Sequence, residues 1–143
     1  MSLQAIAVRF YLRYWFKRRL DPNAPASVLR ANVDDLVRGM PRPPRGVTVT
    51  PTDAGGVPAE WVAAPDADAR RVLLYCHGGG YASGSPATAR DLVWRLSRAA
   101  RCRVLVVDYR LAPEHPFPAA IEDVASAYRH LLASGFAPAS IAF

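Results

Sequence analysis

The residues with the clearest chemical potential are His77, three consecutive glycines, Gly78, Gly79 and Gly80, and Tyr81. They follow an apolar run and precede a helical pattern, which is where open α/β sheets place their ligand loops. Glycine lets the backbone approach a substrate closely and adopt φ values that other residues resist. Main-chain N–H groups in such a loop can stabilise the oxyanion that forms during acyl transfer. The alternative is a tight strand-to-helix turn without chemistry, because glycine-rich turns are common.

A serine nucleophile with the spacing Gly-x-Ser-x-Gly does not occur in the 143 residues. The segment from Gly80 to Gly84 comes nearest, but Ser83 stands one position late. Ser83 and Ser85 fit a loop and a helix cap better. No cluster of His, Cys and carboxylate residues suggests a metal site, and neither a metal nor another cofactor is expected.

Two continuous apolar runs, 72–76 and 104–107, predict strands buried on both faces, which is typical of parallel strands. A helix is predicted between them, with Ser85 as its cap and Pro86 at its first position. Its apolar positions at helical spacing are Ala89, Leu92, Val93, Leu96 and Ala100. Strand, helix and strand make one crossover unit, so the glycine loop is expected at the carboxyl edge of a parallel sheet.

The neighbouring segments extend this α/β pattern. Residues 47–50 and 57–63 indicate a β-hairpin, because Asp53-Ala54-Gly55-Gly56 between them tolerates positive φ. A helix that ends at Gly135 is followed by residues 140–143, which open a third parallel strand. One face of that helix is predicted to be apolar, and its members are Ile121, Val124, Ala125, Tyr128 and Leu132.

The N-terminal segment is helical in pattern and basic. Helices are predicted over 3–20 and 26–38, so residues 1–40 are expected to form a helical cap and residues 41–143 the first part of a core domain. Residues 1–45 hold nine Lys or Arg against three Asp or Glu, whereas the rest of the chain is neutral. The first helix mixes basic and aromatic side chains: Arg9, Phe10, Tyr11, Arg13, Tyr14, Trp15, Phe16, Lys17, Arg18 and Arg19.

Two interpretations of this basic aromatic helix remain open. It can form part of a lid over a binding pocket, which we favour, or lie on an anionic membrane. Nucleic-acid binding is not expected, because no motif for it accompanies the charge. No secretory signal is evident, since Arg9 and Arg13 interrupt the apolar run, and a cytoplasmic location is expected.

Two further features limit the fold. The longest charge-free stretch, 72–89, is interpreted as a strand and a loop, because its glycines, serines and proline would break a membrane-spanning helix. Cys76 and Cys102 are predicted to be free thiols. Opposite ends of neighbouring parallel strands would hold their Cα atoms beyond the ~7 Å limit for a disulfide.

The glycine motif is one of two that together carry a family resemblance. His77-Gly78-Gly79-Gly80, followed by the segment from Asp108-Tyr109-Arg110-Leu111-Ala112-Pro113 to Glu114-His115-Pro116-Phe117-Pro118-Ala119-Ala120, resembles the hormone-sensitive-lipase-like esterases, often called family IV in bacteria. The match covers about residues 73–143. It implies an α/β-hydrolase fold that is incomplete in this chain. It also implies that Gly79 and Gly80 donate amides to an oxyanion hole, Gly78 shapes the turn, His77 buttresses the loop and Tyr81 borders the acyl pocket.

The same resemblance implies a catalytic serine in a Gly-Asp-Ser-Ala-Gly elbow directly after the third strand, then an acidic residue, then a histidine. None of these lies within the chain. The fold orders its triad as nucleophile, acid and histidine. Residues of the right types that precede the nucleophile are therefore not expected to be catalytic, and these are His77, Asp108, His115 and His130. His130 is expected at the surface.

The charged residues of the second motif are expected to support the site. Asp108, Arg110 and Glu114 lie in a loop stiffened by prolines, and their opposite charges are expected to satisfy one another there. A structural role is therefore expected for them.

The expected function is hydrolysis of short- to medium-chain carboxylic esters through a serine acyl-enzyme. The expected partners are a small-molecule ester and the missing C-terminal part of the same protein, and a homo-oligomer is left open. Residues 1–143 alone are expected to be inactive, as a fragment, a nicked chain or a natural truncation. The alternative is a non-catalytic small-molecule-binding protein on the same scaffold, of which the gibberellin receptors of plants are an example.

Overall fold

The structure is a computed structural model that describes residues 2–16, 24–39 and 41–143. Its elements are helix α1 (Leu3–Tyr11) with a π-helical continuation (Leu12–Phe16), helix α2 (Ala26–Arg38), strands β1 (Thr48–Asp53), β2 (Pro58–Ala63) and β3 (Asp68–Cys76), helix α3 (Pro86–Ala100), strand β4 (Cys102–Val107), helix α4 (Ala119–Ala133), a 3₁₀ turn (Pro138–Ser140) and strand β5 (Ile141–Ala142).

The five strands form one mixed sheet in the order β1-β2-β4-β3-β5. The hairpin strands β1 and β2 are antiparallel, and β2 pairs with β4 in the antiparallel sense. Strand β3 is parallel to both of its neighbours, β4 and β5. The predicted hairpin, crossover unit and third parallel strand are confirmed, although β3 begins four residues before the apolar run that predicted it.

The hairpin turn has the predicted chemistry. Gly55 and Gly56 both have positive φ, of 75° and 86°. The N–H of Gly56 donates to Oδ1 of Asp53 at 2.8 Å, and the N–H of Ala54 donates to the carbonyl of Val57 at 2.8 Å. The aspartate and the glycines therefore close the turn between β1 and β2.

Strand β4 is buried on both faces, as its apolar run predicted. Val104 and Val106 pack in a cluster with Val93 of α3. Leu105 and Val107 belong to a second cluster on the other face, together with residues of α4. The alternation of side chains along a strand thus places one helix on each face of the sheet.

The crossover helix α3 starts where it was predicted but buries a different stripe. Ser85 occupies the N-cap position, where its N–H donates to Oγ1 of Thr88 at 3.0 Å. The sheet-facing residues are Pro86, Ala89, Val93 and Ser97. Leu92 is half exposed and Ala100 is exposed, so the predicted face is wrong by about one position at its C-terminal end. The sequence pattern did not indicate this stripe, because its last buried position is occupied by a polar residue, Ser97.

Ser97 is buried because its hydroxyl joins three elements. It accepts a hydrogen bond from the N–H of Ala64, just after β2, at 2.9 Å. It donates to the carbonyl of Cys102, at the start of β4, at 2.7 Å. Both main-chain groups belong to buried residues, so they depend on this side chain for a partner.

Helix α4 also presents a different face to the sheet from the one predicted. Its buried residues are Ala119, Ala120, Asp123, Ala127 and Leu131. Alanines at three of these positions let the helix lie close to the sheet, and Leu131 is the one large apolar side chain that is fully buried there. Of the predicted stripe, Ile121 is exposed and Val124 and Tyr128 are only half-buried. All members of this stripe except Leu132 line a cavity.

The remaining sequence predictions have mixed outcomes. Cys76 and Cys102 lie at opposite ends of β3 and β4, and both are free thiols, as predicted. Burial raises the pKa of both thiols. The predicted helix 3–20 is confirmed up to residue 16, and Lys17, Arg18 and Arg19 fall outside the described residues. In the described part of the chain, no helix combines the length and the apolarity that a bilayer span needs.

The bridge made by Ser97 gives a stability prediction. Ser97→Ala should lower the free energy of unfolding by about 2–4 kcal/mol, because it leaves two buried main-chain groups without a partner. The matched control is Ser126→Ala, which removes a hydrogen bond of 2.7 Å to the carbonyl of Gly55 at the surface. The control should cost less than about 1 kcal/mol. Urea unfolding followed by circular dichroism measures both, and equal losses would contradict the bridging role.

Candidate functional site

A cavity of about 560 Å³ opens at the carboxyl ends of β3 and β5, between the glycine loop and α4. Its wall is mostly apolar on the α4 side and mostly main chain on the loop side. The lining residues are Cys76, His77, Gly78, Gly79, Gly80, Tyr81, Tyr109, Ala120, Ile121, Val124, Ala125, Tyr128 and Phe143. The structure thus brings together the five predicted residues 77–81, whereas Asp108, Arg110 and Glu114 stay outside the lining.

His77 is held under the loop by Tyr109. The two rings stack with centroids 4.2 Å apart and planes 10° from parallel. The Tyr109 hydroxyl donates to the carbonyl of His77 at 2.5 Å, and desolvation raises the pKa of Tyr109 to about 12, so this donor keeps its proton at neutral pH. Tyr109 belongs to the second motif, but nothing in the sequence indicated that it would pack on His77.

The hydrogen bonds of His77 determine its tautomer. Nδ1 lies 3.1 Å from the carbonyl oxygen of Gly78, which can only accept, so Nδ1 carries the proton. Nε2 is buried and has no hydrogen-bond partner among the described residues. The imidazole therefore supports the loop from below through Nδ1.

The loop turns through residues that must be glycine. Gly79 has a φ of 134°, and a Cβ at this position would lie 2.0 Å from the carbonyl oxygen of Ser83. That close approach lets the Gly79 carbonyl accept hydrogen bonds from the N–H of Ala82 at 3.2 Å and of Ser83 at 3.1 Å. The Ser83 hydroxyl donates to the same oxygen at 3.1 Å, so Ser83 is a loop residue, as expected.

A second obligatory glycine, Gly84, was not singled out in the sequence. Its φ is 93°, and a Cβ there would lie 2.3 Å from the carbonyl oxygen of Gly78 and 2.7 Å from Nδ1 of His77. Gly78 has no comparable restriction, since a Cβ at Gly78 would meet no atom within 4 Å. The spacing of Gly79 and Gly84 could have indicated in the sequence that both glycines are needed, because two turns follow each other before α3.

The loop uses the carbonyl groups of Gly78 and Gly79 internally and leaves the N–H groups of Gly79 and Gly80 unused. The carbonyls of Gly78 and Gly79 accept from His77 and Ser83, as described above. Across a planar trans peptide the N–H points opposite to the preceding C=O, so the N–H groups of Gly79 and Gly80 point away from the loop interior. No hydrogen bond within residues 2–16, 24–39 and 41–143 uses either N–H as a donor.

Tyr81 ends the glycine run in a left-handed conformation, with φ of 61°. Its carbonyl accepts a hydrogen bond from the N–H of Ala112 at 2.8 Å, which joins the glycine loop to the loop after β4. Its ring lies 6.2 Å from that of Tyr109 and is 59% exposed, at the rim of the cavity.

The charges of the second motif do not pair with one another, contrary to expectation. Arg110 binds Asp123 of α4: its main-chain N–H donates to Oδ2 at 2.8 Å, and its Nε lies 3.0 Å from both carboxylate oxygens. Glu114 binds Arg30 of α2, with contacts of 2.9 and 2.6 Å. The expectation failed because side chains that leave a stiff loop in different directions reach the flanking helices before they reach each other.

Asp108 makes none of the side-chain hydrogen bonds in the described part of the chain. Its main-chain N–H extends the sheet by donating to the carbonyl of Pro58 at 2.9 Å. Although the residue is exposed overall, partial desolvation raises the pKa of its carboxyl, and the nearby His77 opposes the rise. Of the other histidines, His115 is exposed and His130 is half-buried, so the surface position expected for His130 is only partly met. Neither lines the cavity.

The glycine geometry predicts a contrast between two neighbouring substitutions. Gly80→Ala should cost about 1 kcal/mol, because its φ of 62° is strained for alanine but the space around it is open. Gly79→Ala should cost about 3 kcal/mol or more, because the methyl group meets the main chain of Ser83 as well. Thermal or urea unfolding of the two variants tests this. Equal losses would mean that the loop relaxes away from Ser83.

The Arg110–Asp123 pair predicts a pH dependence. Desolvation, the largest effect, raises the pKa of Asp123, but the hydrogen bonds and charge of Arg110 together outweigh it and hold the pKa below its ordinary value. The pair therefore stabilises the fold fully above about pH 4, and this contribution is lost as the pH falls through the lowered pKa. Asp123→Asn should cost about 2 kcal/mol at pH 7 and clearly less at pH 3, measured by urea unfolding. A cost independent of pH would contradict the ion pair.

The segment that carries the site is similar in sequence to known hydrolases. Residues 73–143 match the family model described as the alpha/beta hydrolase fold. An acetyl-hydrolase of Streptomyces hygroscopicus is 48% identical over 98 residues, which cover 68% of this chain and 31% of that protein. An esterase of Acinetobacter venetianus is 38% identical over 122 residues, which cover 85% of this chain and 38% of that protein.

Solved structures of esterases are similar to almost the entire chain. The crystal structure of an esterase from the bacterial hormone-sensitive lipase family superposes with a TM-score of 0.88 at 41% identity, and the match covers 99% of this chain and 46% of that chain. The chain thus spans about a third of the length of the two relatives and under half of this structure. With its mixed sheet, its glycine loop and this likeness, the chain belongs to the alpha/beta hydrolase fold family and is related to the hormone-sensitive-lipase-like esterases.

Proposed function

We propose that this chain supplies the oxyanion hole of a serine carboxylic ester hydrolase, with the N–H groups of Gly79 and Gly80 as donors. The observation that carries the proposal is the pairing within the loop, in which carbonyls bind inward and these two N–H groups are left unused beside a cavity. Two preorganised N–H groups suit an oxygen that becomes negative in the tetrahedral intermediate. One such donor contributes roughly 2.7–4 kcal/mol to catalysis.

The position of β5 supports a nucleophile that follows this chain. Strands β3 and β5 are parallel neighbours, with Val72 opposite Ile141 and Leu73 opposite Ala142. Their carboxyl ends therefore meet at the same edge of the sheet, and Phe143 already lines the cavity. A serine elbow directly after β5 would face the glycine loop across the cavity, so that an ester carbonyl could lie between serine and amides.

The remaining parts of the mechanism follow from this placement. The serine would attack the ester carbonyl, the alcohol would leave, and water would release the acid from the acyl-enzyme. The acidic residue and the histidine of the triad would also follow residue 143, so residues 1–143 alone should not turn over esters. His77 supports the loop through Nδ1 and takes no part in proton transfer, because its other ring nitrogen, Nε2, is buried.

The apolar wall indicates the substrate class. Ile121, Val124, Tyr128 and Phe143 offer an aliphatic and aromatic surface opposite the loop, and Tyr81 borders it. A cavity of about 560 Å³ suits a small ester with a short to medium acyl chain. Relatives named acetyl-hydrolase and carboxylic ester hydrolase support the same class. Helices α1 and α2 would form the cap of the acyl pocket, with residues 1–40 as one unit.

The test compares this chain with the same chain extended by its following sequence, using p-nitrophenyl acetate, butyrate and decanoate. Turnover should need the extension and should fall from butyrate to decanoate. Replacing the elbow serine of the extended protein by alanine is the control and should abolish turnover. Turnover by residues 1–143 alone, above a heat-killed sample, would contradict the downstream nucleophile. An extended protein with an intact elbow that hydrolyses none of these esters would indicate a binding protein on this scaffold.

A further inference from the structure

The side chain of Arg30, on helix α2, is clamped between the two loops of the site. Its Nε donates to the carbonyl of Ala82 at 2.9 Å, and one terminal nitrogen donates to the carbonyl of Ala112 at 2.5 Å. The two terminal nitrogens also bind the Glu114 carboxylate at 2.9 and 2.6 Å. The side chain is only 26% exposed. One guanidinium therefore joins three segments that are far apart in the sequence.

These contacts fix the peptide units that follow the proposed oxyanion donors. Ala82 comes two residues after Gly80, and its carbonyl is held by Arg30. The carbonyl of the preceding residue, Tyr81, is held by the N–H of Ala112, and the carbonyl of Ala112 is again held by Arg30. Tyr81 has a φ of 61°, which costs a residue with a Cβ roughly 1–2 kcal/mol, so the turn needs outside support.

We propose that Arg30 is a positioning residue for the oxyanion hole, which sets the direction of the Gly80 N–H through the Tyr81–Ala82 turn. This inference rests on the proposed function of the glycine loop. Glu114 holds the guanidinium in place, and the hydrogen bonds and charge of Arg30 keep the pKa of Glu114 below its ordinary value, so the pair is charged at neutral pH. The planar fork of an arginine binds two carbonyls and a carboxylate at once, which a lysine ammonium does not reproduce.

The consequence is a dependence of catalysis on the N-terminal helical segment. Arg30 does not line the main cavity, so its side chain is not expected to contact the substrate directly. A shift of the donors by a fraction of an ångström would instead weaken the binding of the oxyanion, which exists only after the attack. The loss should therefore appear in kcat and not in KM.

The kinetic test uses the complete protein that contains this chain. Arg30→Ala should lower kcat by about 10- to 100-fold with KM within about 2-fold, since small misplacements of catalytic groups have effects of this order. The kcat of Arg30→Lys should lie between that of Arg30→Ala and that of the unaltered protein. The matched control is Arg90→Ala, because Arg90 binds both carboxylate oxygens of Glu60 at 2.8 and 2.9 Å and has a similar exposure of 32%. Arg90 makes no hydrogen bond to either loop in the described structure, and the Arg90→Ala variant should keep a kcat within about 2-fold of that of the unaltered protein.

Hydrogen–deuterium exchange on the same variants tests the positioning without any turnover. Arg30→Ala should speed exchange in peptides covering 78–84 and 111–115, while Arg90→Ala should not. Faster exchange in a protein that hydrolyses no ester would uphold the clamp and reject the proposed function alone. Unchanged exchange and a kcat equal to that of Arg90→Ala would overturn the role of Arg30. A loss confined to KM would overturn it as well, because it would mean that Arg30 serves substrate binding.

Discussion

The geometry of the site depends on the space that Gly79 leaves to the main chain of Ser83. The Cβ of any other residue would lie 2.0 Å from the Ser83 carbonyl oxygen, so only glycine allows the loop to close on itself. Once it is closed, the Gly79 carbonyl is bound inward and the Gly80 N–H must point the other way. The absence of a side chain at one residue is thus a condition for the direction of the N–H donor on the next.

The sheet determines where that donor is found. Because β3 lies between two parallel strands, the loop after it shares an edge with whatever follows β4 and β5. The loop after β4 contributes Tyr109, which stacks on His77 and donates to its carbonyl. Helix α4 approaches closely through alanines, and its larger side chains Ile121, Val124 and Tyr128 line the cavity. The same packing that buries the core therefore also builds an apolar wall opposite the loop.

Local patterns predicted most of the fold and the position of the loop. The apolar runs of β3 and β4, the hairpin glycines and Pro86 at the start of α3 each act over a few residues, so the sequence carries their signal directly. The faces of α3 and α4 were less predictable. A helix buries whichever stripe fits the sheet, and here the fitting residues are small or polar, with Ser97 and Ala127 fully buried while Leu92 is half exposed.

The partners of the motif charges lie beyond the reach of any local pattern. Arg110 finds Asp123, 13 residues away, and Glu114 finds Arg30, 84 residues away in the opposite direction. In the sequence these charges stand beside each other, which favoured pairing within the loop. In the fold the loop lies between α2 and α4. Each of these helices contributes one charged side chain that makes charge-assisted hydrogen bonds to the loop. The loop is thereby held from both sides, so the position of the amides that it supports depends on how α2 and α4 pack, and not on the glycine motif alone.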